Sequence, residues 1–444
     1  MVALSRSMIV MCVGRALQGV GGAGMMPLAS VMLTDILTPR QRGFYMGLFG
    51  AVIILGKWTG PIIGAVLLEQ FSWRWTGYMN LPIGAVALSI LYYTLHDLPK
   101  PSGQLARTLC DFDYIGAMFW LGGSLMILLA LTWGGNEHPW GSAFIIGPLI
   151  IGVVAMLIFG VIEGRYSSWP IVPLSVIVQP RTLLTLLASF FIGLCMYGTI
   201  TFVPIYYLML EVEGPLSAAK HILWCALGGF IGAIIAGYLV TFRGRVYYRE
   251  WSVLGTALMS VGYILMYTWP HSPTATLRHA GFQVLVGLGL GFSMEQVRLA
   301  SQAGLPAREI SAVTTLIDYA RTLGGMIGLA IGGIIMREKM FTTVHQSFPI
   351  LFGSESLKGL DAVWLESLAP LLKTLPPALS EQLYKGIVED LHLVFVVNVP
   401  FAVLACILCL LISNIPLHVI LSTSSIDEVS DDMTELNKRD DSNM

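Results

Sequence analysis

Charge is what this sequence has least of. Asp, Glu, Lys and Arg make up 12% of its 444 residues, about half the roughly 25% expected of a soluble domain. A soluble chain of this length needs a polar surface that these residues cannot supply. Neither sign is in excess: 25 Lys and Arg stand against 27 Asp and Glu, a net charge of −2. That balance implies no nucleic-acid or acidic partner. Cysteine is sparse as well. The six are Cys12, Cys110, Cys195, Cys225, Cys406 and Cys409, and all but Cys110 lie in apolar segments. Cys406 and Cys409 form a CxxC inside an apolar run with no His or Asp near it, which points to helix packing rather than metal or redox chemistry. No metal site and no cofactor are expected. No Ser/His/Asp set, HExxH or carboxylate cluster stands at a membrane face, so no catalytic residue is assigned and an enzyme is not expected. A clean signal peptide is missing too: the opening 1–24 has a broken apolar run and no cleavage site.

What the chain has instead is long apolar runs. It is 55% hydrophobic, with a mean hydropathy of +0.74. A membrane-spanning helix needs roughly 20 mostly apolar residues. About eleven such spans can be read, at 12–33, 44–68, 75–95, 114–133, 144–162, 183–208, 222–240, 253–269, 282–299, 313–335 and 393–412. Continuous runs of this length exclude a β-barrel, whose strands are short and alternate. An all-α membrane protein follows, embedded in a lipid bilayer.

Lys and Arg in the short loops set the orientation. One alternate set of loops carries Arg40, Arg42, Lys100, Arg107, Arg165, Arg181, Arg243, Arg245, Arg249 and Arg308. The other short loops carry Arg74, Lys220 and Arg278. The first set is expected in the cytoplasm, which puts the C-terminus inside and the N-terminus outside. The polar, acidic tail from Ser422 is expected to be disordered. The long loop 337–390 falls outside, and its Leu/Pro-rich stretch 368–383 is a candidate for the membrane surface.

Small residues crowd several spans. Gly60 and Gly64, and again Gly228 and Gly232, have GxxxG spacing; Gly324, Gly325, Gly328, Gly332 and Gly333 follow in the tenth span. Such residues let helix backbones approach closely in lipid, for packing alone or at rocking interfaces. The run Gly287-Leu288-Gly289-Leu290-Gly291 lies within an apolar span and not after a strand, so it is no dinucleotide fingerprint.

Charges inside the spans are the informative ones: Arg15, Lys57, Glu295, Arg298, Asp318 and Arg321. A charge in the bilayer core tends to face a cavity or a partner. Glu295 with Arg298, and Asp318 with Arg321, are spaced i,i+3, so each pair shares one helix face. Each reads either as a structural ion pair or as the polar lining of a substrate or proton path. The lean is to a path role for Arg321 and a structural one for Glu295 with Arg298. Lys57 and Arg15 need a partner on another helix, or water. Asp35, near Arg40 and Arg42, reads as a loop-fastening contact.

These residues carry a resemblance. Gly14-Arg15-Ala16-Leu17-Gln18-Gly19 looks like the RxxQG motif of the major facilitator superfamily, with Arg15, Gln18 and Gly19 at its positions. Gly56-Lys57-Trp58-Thr59-Gly60-Pro61-Ile62-Ile63-Gly64-Ala65 resembles that family's antiporter signature, carried by Gly56, Gly60, Pro61 and Gly64. Trp73-Arg74-Trp75 followed by Asn80-Leu81-Pro82-Ile83-Gly84 is similar to a stretch of the fourteen-helix drug:proton antiporter branch. Gln302-Ala303 and Tyr319-Ala320-Arg321-Thr322-Leu323-Gly324-Gly325 match the same branch near its thirteenth helix. Order and spacing agree up to about Leu417, most like fungal efflux pumps. The departures are Ala65 for a glycine, the charge of Lys57 inside the signature, and Glu295 and Arg298 at positions the branch usually leaves uncharged.

The resemblance implies a two-bundle transporter. It would be a proton-coupled efflux pump exporting small amphipathic organic compounds such as drugs, toxins or secondary metabolites. Its partners would be a small-molecule substrate, protons and the lipid bilayer; the plasma membrane is expected, with the vacuolar membrane as the other site. Arg15, Asp318 and Arg321 are the candidates for proton coupling and transport. Arg15 would tune a proton carrier, and Pro61 with its flanking glycines would make a kinked, close-packed seam. Trp224, Phe190, Met196 and Tyr197 could wall an adaptable cavity or face lipid. The expected division is 1–96, a partial N-terminal bundle; 97–181, two extra central helices; 182–417, the C-terminal bundle; and 418–444, the tail. The branch's first three helices have no counterpart here, which leaves the N-terminal bundle incomplete, so an upstream start or an inactive truncated product is expected. The alternative to export is a membrane sensor that keeps the fold without transporting.

Overall fold

The computed structural model describes residues 1–37, 39–95, 113–135, 138–165, 172, 174–211, 215–242, 248–268, 276–305, 307–347 and 377–414. The acidic tail, the stretch 368–376 and the loop cations Lys100, Arg107, Arg243 and Arg245 lie outside those residues, as do the side chains of Asp35, Arg40 and Arg42. Among the described residues the fold is helical, with one isolated bridge between Gly134 and His138.

Among the described residues, eleven helices of sixteen residues or more run in order. They are α1 (Met8–Ile36), α2 (Pro39–Gln70), α3 (Asn80–Leu95), α4 (Tyr114–Trp133), α5 (Ala143–Arg165) and α6 (Pro180–Glu211). Then come α7 (Leu223–Phe242), α8 (Tyr248–Tyr267), α9 (Thr276–Gln302), α10 (Ala307–Ser347) and α11 (Pro377–Leu411). Each coincides with one of the spans read from the sequence, and eight of them are long and apolar enough to cross a membrane by length and composition. The other three have physical reasons for falling short. The third span breaks at Met79, leaving α3 with 16 residues. α8 and α9 carry polar side chains that the bundle covers: Ser252, Thr256 and Ser260 on α8, Gln283, Glu295 and Gln296 on α9, all buried. The α8 hydroxyls bond back to the carbonyls of Tyr248, Ser252 and Thr256 at 2.7–2.8 Å, so these three buried donors are satisfied within the helix. The molecule is an integral, multi-pass membrane protein.

α6 to α11 form a packed bundle with α9 at its centre, against α7 on one side and α8 on the other. The glycine run makes this possible. A Cβ on Gly287 or Gly291 would stand 2.1–2.2 Å from the carbonyls of Cys225 and Gly229 on α7. One on Gly289 would stand 2.5 Å from the carbonyl of Gly255 on α8. Alternate glycines thus serve opposite neighbours. α10 crosses α6 in the same way, Gly324 against the Phe190 carbonyl and Gly193 against that of Arg321, each 2.0 Å from a built Cβ. α2 packs against this bundle, on α7 and α9.

α4 and α5 form a hairpin that crosses at Gly123 and Gly152. It docks on α10 at two levels: the Ser124 and Tyr319 hydroxyls are 2.7 Å apart, and Arg337 donates to the Gly135 carbonyl at the hairpin tip. Trp120 packs between Phe159 and Tyr319. α1 and α3 are largely exposed along their apolar lengths.

Candidate functional site

The in-membrane charges converge where α2, α9 and α10 meet. On α9, Glu295 and Arg298 share a face, and the Arg298 Nη1 lies 3.2 Å from the Glu295 Oε2. On α10, Asp318 and Arg321 do the same, 3.2 Å from Arg321 Nη1 to Asp318 Oδ1. The two pairs are joined: Arg298 Nη2 reaches the same Asp318 Oδ1 at 2.6 Å. Arg321 also donates to the Met294 carbonyl on α9 at 3.2 Å. Spacing along each helix shows two separate pairs; the fold makes one network across two helices.

Burial is uneven within it. The side chains of Glu295, Arg298 and Arg321 are 2–4% exposed, whereas that of Asp318 is 28% exposed. Both arginines donate to Oδ1 of Asp318, and Oδ2 takes no hydrogen bond among the described residues. Asp318 is therefore the carboxylate of this network that water or a ligand can touch. Glu295 is pinned on its other side by α2, since a Cβ on Gly50 would stand 2.2 Å from the Glu295 Cγ.

Lys57 of α2 is exposed, and its ammonium lies 5.8 Å from the centroid of the Tyr197 ring on α6. All four of the other charges are within its electrostatic reach. Tyr197 itself is wedged against Gly325 of α10. Of the other expected wall residues, Met196 is buried in the core and Trp224 is 41% exposed on the outer surface.

Not every candidate joins the network. Arg15 is exposed on α1 and bonds within its own helix, 3.2 Å to the Gln18 Oε1. Gly56, Gly60 and Gly64 have open space beside them, as has Gly19. The close approach of α2 occurs earlier, at Gly47, where a Cβ would lie 2.7 Å from the Gly237 Cα of α7, and at Gly50. Pro61 lies within the unbroken run of α2.

Two arrangements were not read from the sequence. Where α6 begins, Arg181 donates to the Ala303 carbonyl at 2.9 Å and to the Tyr248 hydroxyl, tying α6 to α8 and to the end of α9. Beside it, the Asn414 amide bonds the Glu250 carboxylate at 2.8 and 2.9 Å. At the far end of α6, Tyr207 stacks on His221 with centroids 3.8 Å apart and Tyr206 stacks on His392 at 5.6 Å. Gln283 donates to the Tyr207 hydroxyl at 3.1 Å. Polar and aromatic residues at span ends were the available signal, but their partners lie 14 to 186 positions away in sequence, beyond the reach of helical periodicity.

Comparison with known proteins places the chain among transporters by sequence. The family described as Major Facilitator Superfamily matches residues 1–109. Efflux pump FUS6 of Gibberella moniliformis is 30% identical over 92% of this chain and 72% of its own length. The MFS-type transporter ppz2 of Metarhizium majus is 28% identical over 92% of this chain and 69% of its own. The MFS-type efflux pump LUC4 of a Fusarium species is 28% identical over 92% of this chain and 72% of its own.

Proposed function

The chain belongs to the major facilitator superfamily, and from that membership we propose that it is a proton-coupled efflux pump for small amphipathic organic compounds. Two of the relatives carry the name of efflux pump. The pump would act in the plasma membrane with its C-terminus in the cytoplasm, following the loop cations. Transport alone is asked of it, and no catalytic residue is proposed.

The observation that carries the coupling is Asp318. It is the one partly open carboxylate in a buried network that binds α9 to α10. Ionised, it holds Arg298 and Arg321 together through one oxygen. A proton on Asp318 removes the charge that both arginines answer. Arg298 then keeps only Glu295, and Arg321 keeps only the Met294 carbonyl. The α9–α10 joint therefore has two arrangements whose balance a proton shifts, which is what coupled exchange requires. Residues 1–96 and 182–417 would be the two rocking bodies, with 97–181 as the added central pair. Arg15 would act on proton release from its own helix, and the glycines at 56, 60 and 64 would leave α2 room to move.

The test is transport in everted membrane vesicles carrying the full chain. Uptake of an amphipathic fluorescent compound should follow an imposed proton gradient, and the gradient should dissipate faster when the compound is added. Equal uptake with the gradient collapsed would overturn proton coupling. No uptake under any gradient, with the protein inserted, would favour a sensor that keeps the fold.

A further inference from the structure

The charges at the junction of α2, α9 and α10 do not cancel. Three cations, Lys57, Arg298 and Arg321, face two carboxylates, Glu295 and Asp318. The surplus can be located. Arg298 is engaged by both carboxylates, and Arg321 by Asp318 and a backbone carbonyl. Both are buried, with their Nη groups committed. Lys57 is exposed, makes no ion pair among the described residues, and has only the face of Tyr197 near its ammonium. An unmatched cation inside the membrane region is unfavourable unless something of opposite sign comes to it. On the same face of α2, one turn further on, Gly60 leaves open space, and Tyr197 offers an aromatic surface.

Resting on the export reading above, we infer that the substrate is an anionic amphiphile, an organic acid carrying one negative charge as a carboxylate or enolate. Its charged group pairs with Lys57, and its apolar body lies along Tyr197 and the open flank of α2 at Gly60. A single negative charge brings the five residues and their ligand to neutrality. A cationic compound would add to the surplus and would meet Lys57 as a like charge. The network thus divides its labour: Asp318 takes the proton and Lys57 takes the substrate, with Arg298 and Arg321 fixed between α9 and α10.

The experiment measures binding to the purified full chain in detergent with three pyrene-labelled probes of one chain length. They end in a carboxylate, a primary carboxamide and a trimethylammonium group. The carboxylate should bind about tenfold more tightly than the carboxamide, and the trimethylammonium probe most weakly. Lys57→Gln should erase the carboxylate's advantage without weakening the carboxamide, and Lys57→Arg should keep it. The inference is overturned if the trimethylammonium probe binds as tightly as the carboxylate, if Lys57→Gln leaves carboxylate affinity unchanged, or if none of the three binds. Flux is scored separately. Gradient-driven export of any probe upholds the pump even where the binding order overturns the charge. A carboxylate preference without gradient-driven flux does the reverse.

Discussion

Arg298 of α9 and Asp318 of α10 meet at 2.6 Å, and this bond turns two local ion pairs into one network. Arg321 reaches the same Asp318 oxygen from its own helix at 3.2 Å. Asp318→Asn keeps the shape but removes the charge that both arginines answer. We expect the variant to insert and to bind substrate, yet to lose gradient-driven export. Vesicle flux with and without an imposed gradient reads this out; export still driven by the gradient would remove Asp318 from the coupling step.

The same oxygen predicts a rescue. Asp318→Asn alone leaves three cations against Glu295, whereas Asp318→Asn with Arg321→Gln restores the original surplus of one. Breaking a buried pair costs about 3–5 kcal/mol, and the double change should recover about 1–3 kcal/mol of it through coupling between neighbours. The thermal midpoint in detergent should order wild type, double variant, then Asp318→Asn. Recovered export in the double variant would assign Asp318 and Arg321 a structural role. A double variant that is folded but inactive supports the path.

Arg15 makes the opposite forecast, because it is exposed and bonded only to Gln18 among the described residues. Arg15→Ala should cost no more than about 0.5 kcal/mol of stability and yet abolish proton-coupled export. Arg15→Lys should fail as well, since an ammonium cannot reproduce the planar guanidinium. Normal export by well-expressed Arg15→Ala would end the proposal for this residue.

Glycine substitutions separate tight seams from open faces. Gly324→Ala would push a methyl group to 2.0 Å from the Phe190 carbonyl, a backbone atom that cannot swing aside. Overpacking of this kind costs about 1–3 kcal/mol, so a lowered thermal midpoint is expected. Gly22→Ala meets nothing within 4 Å and should leave the midpoint unchanged or raise it, alanine being the better helix former. Equal effects at both positions would mean that the α6–α10 crossing is not close-packed.

The helices were legible because each apolar run is local, and the i,i+3 pairs because a helix repeats every 3.6 residues. What one helix's periodicity cannot tell is which face meets which neighbour. Glu295 with Arg298 and Asp318 with Arg321 were therefore visible, but the bond from Arg298 to Asp318, twenty positions on, was not. The glycine run 287–291 is plain in the sequence as an apolar small-residue stretch, yet its service to α7 and α8 at once needs both neighbours in place. Arg181 stands in the sequence as one of the loop cations, and nothing near it announces Tyr248 or Ala303. The close approach of α2 falls at Gly47 and Gly50, ahead of the motif at 56–65.

The hairpin of α4 and α5 meets α10 at two places, Ser124 with Tyr319 and Gly135 with Arg337. A body pinned at one point can swivel about it; pinned at two, it turns only about the line between them. Tyr319 and Arg337 are eighteen positions apart on one helix, about 27 Å, close to the roughly 30 Å depth of the hydrocarbon layer. The line between the pins thus runs parallel to α10 and is nearly as long as the hydrocarbon layer is deep. The hairpin can roll around α10 but must copy every tilt of it. Any tilt that begins at Asp318 and Arg321 is carried to the hairpin's tip, where a label beside Gly135 would register it.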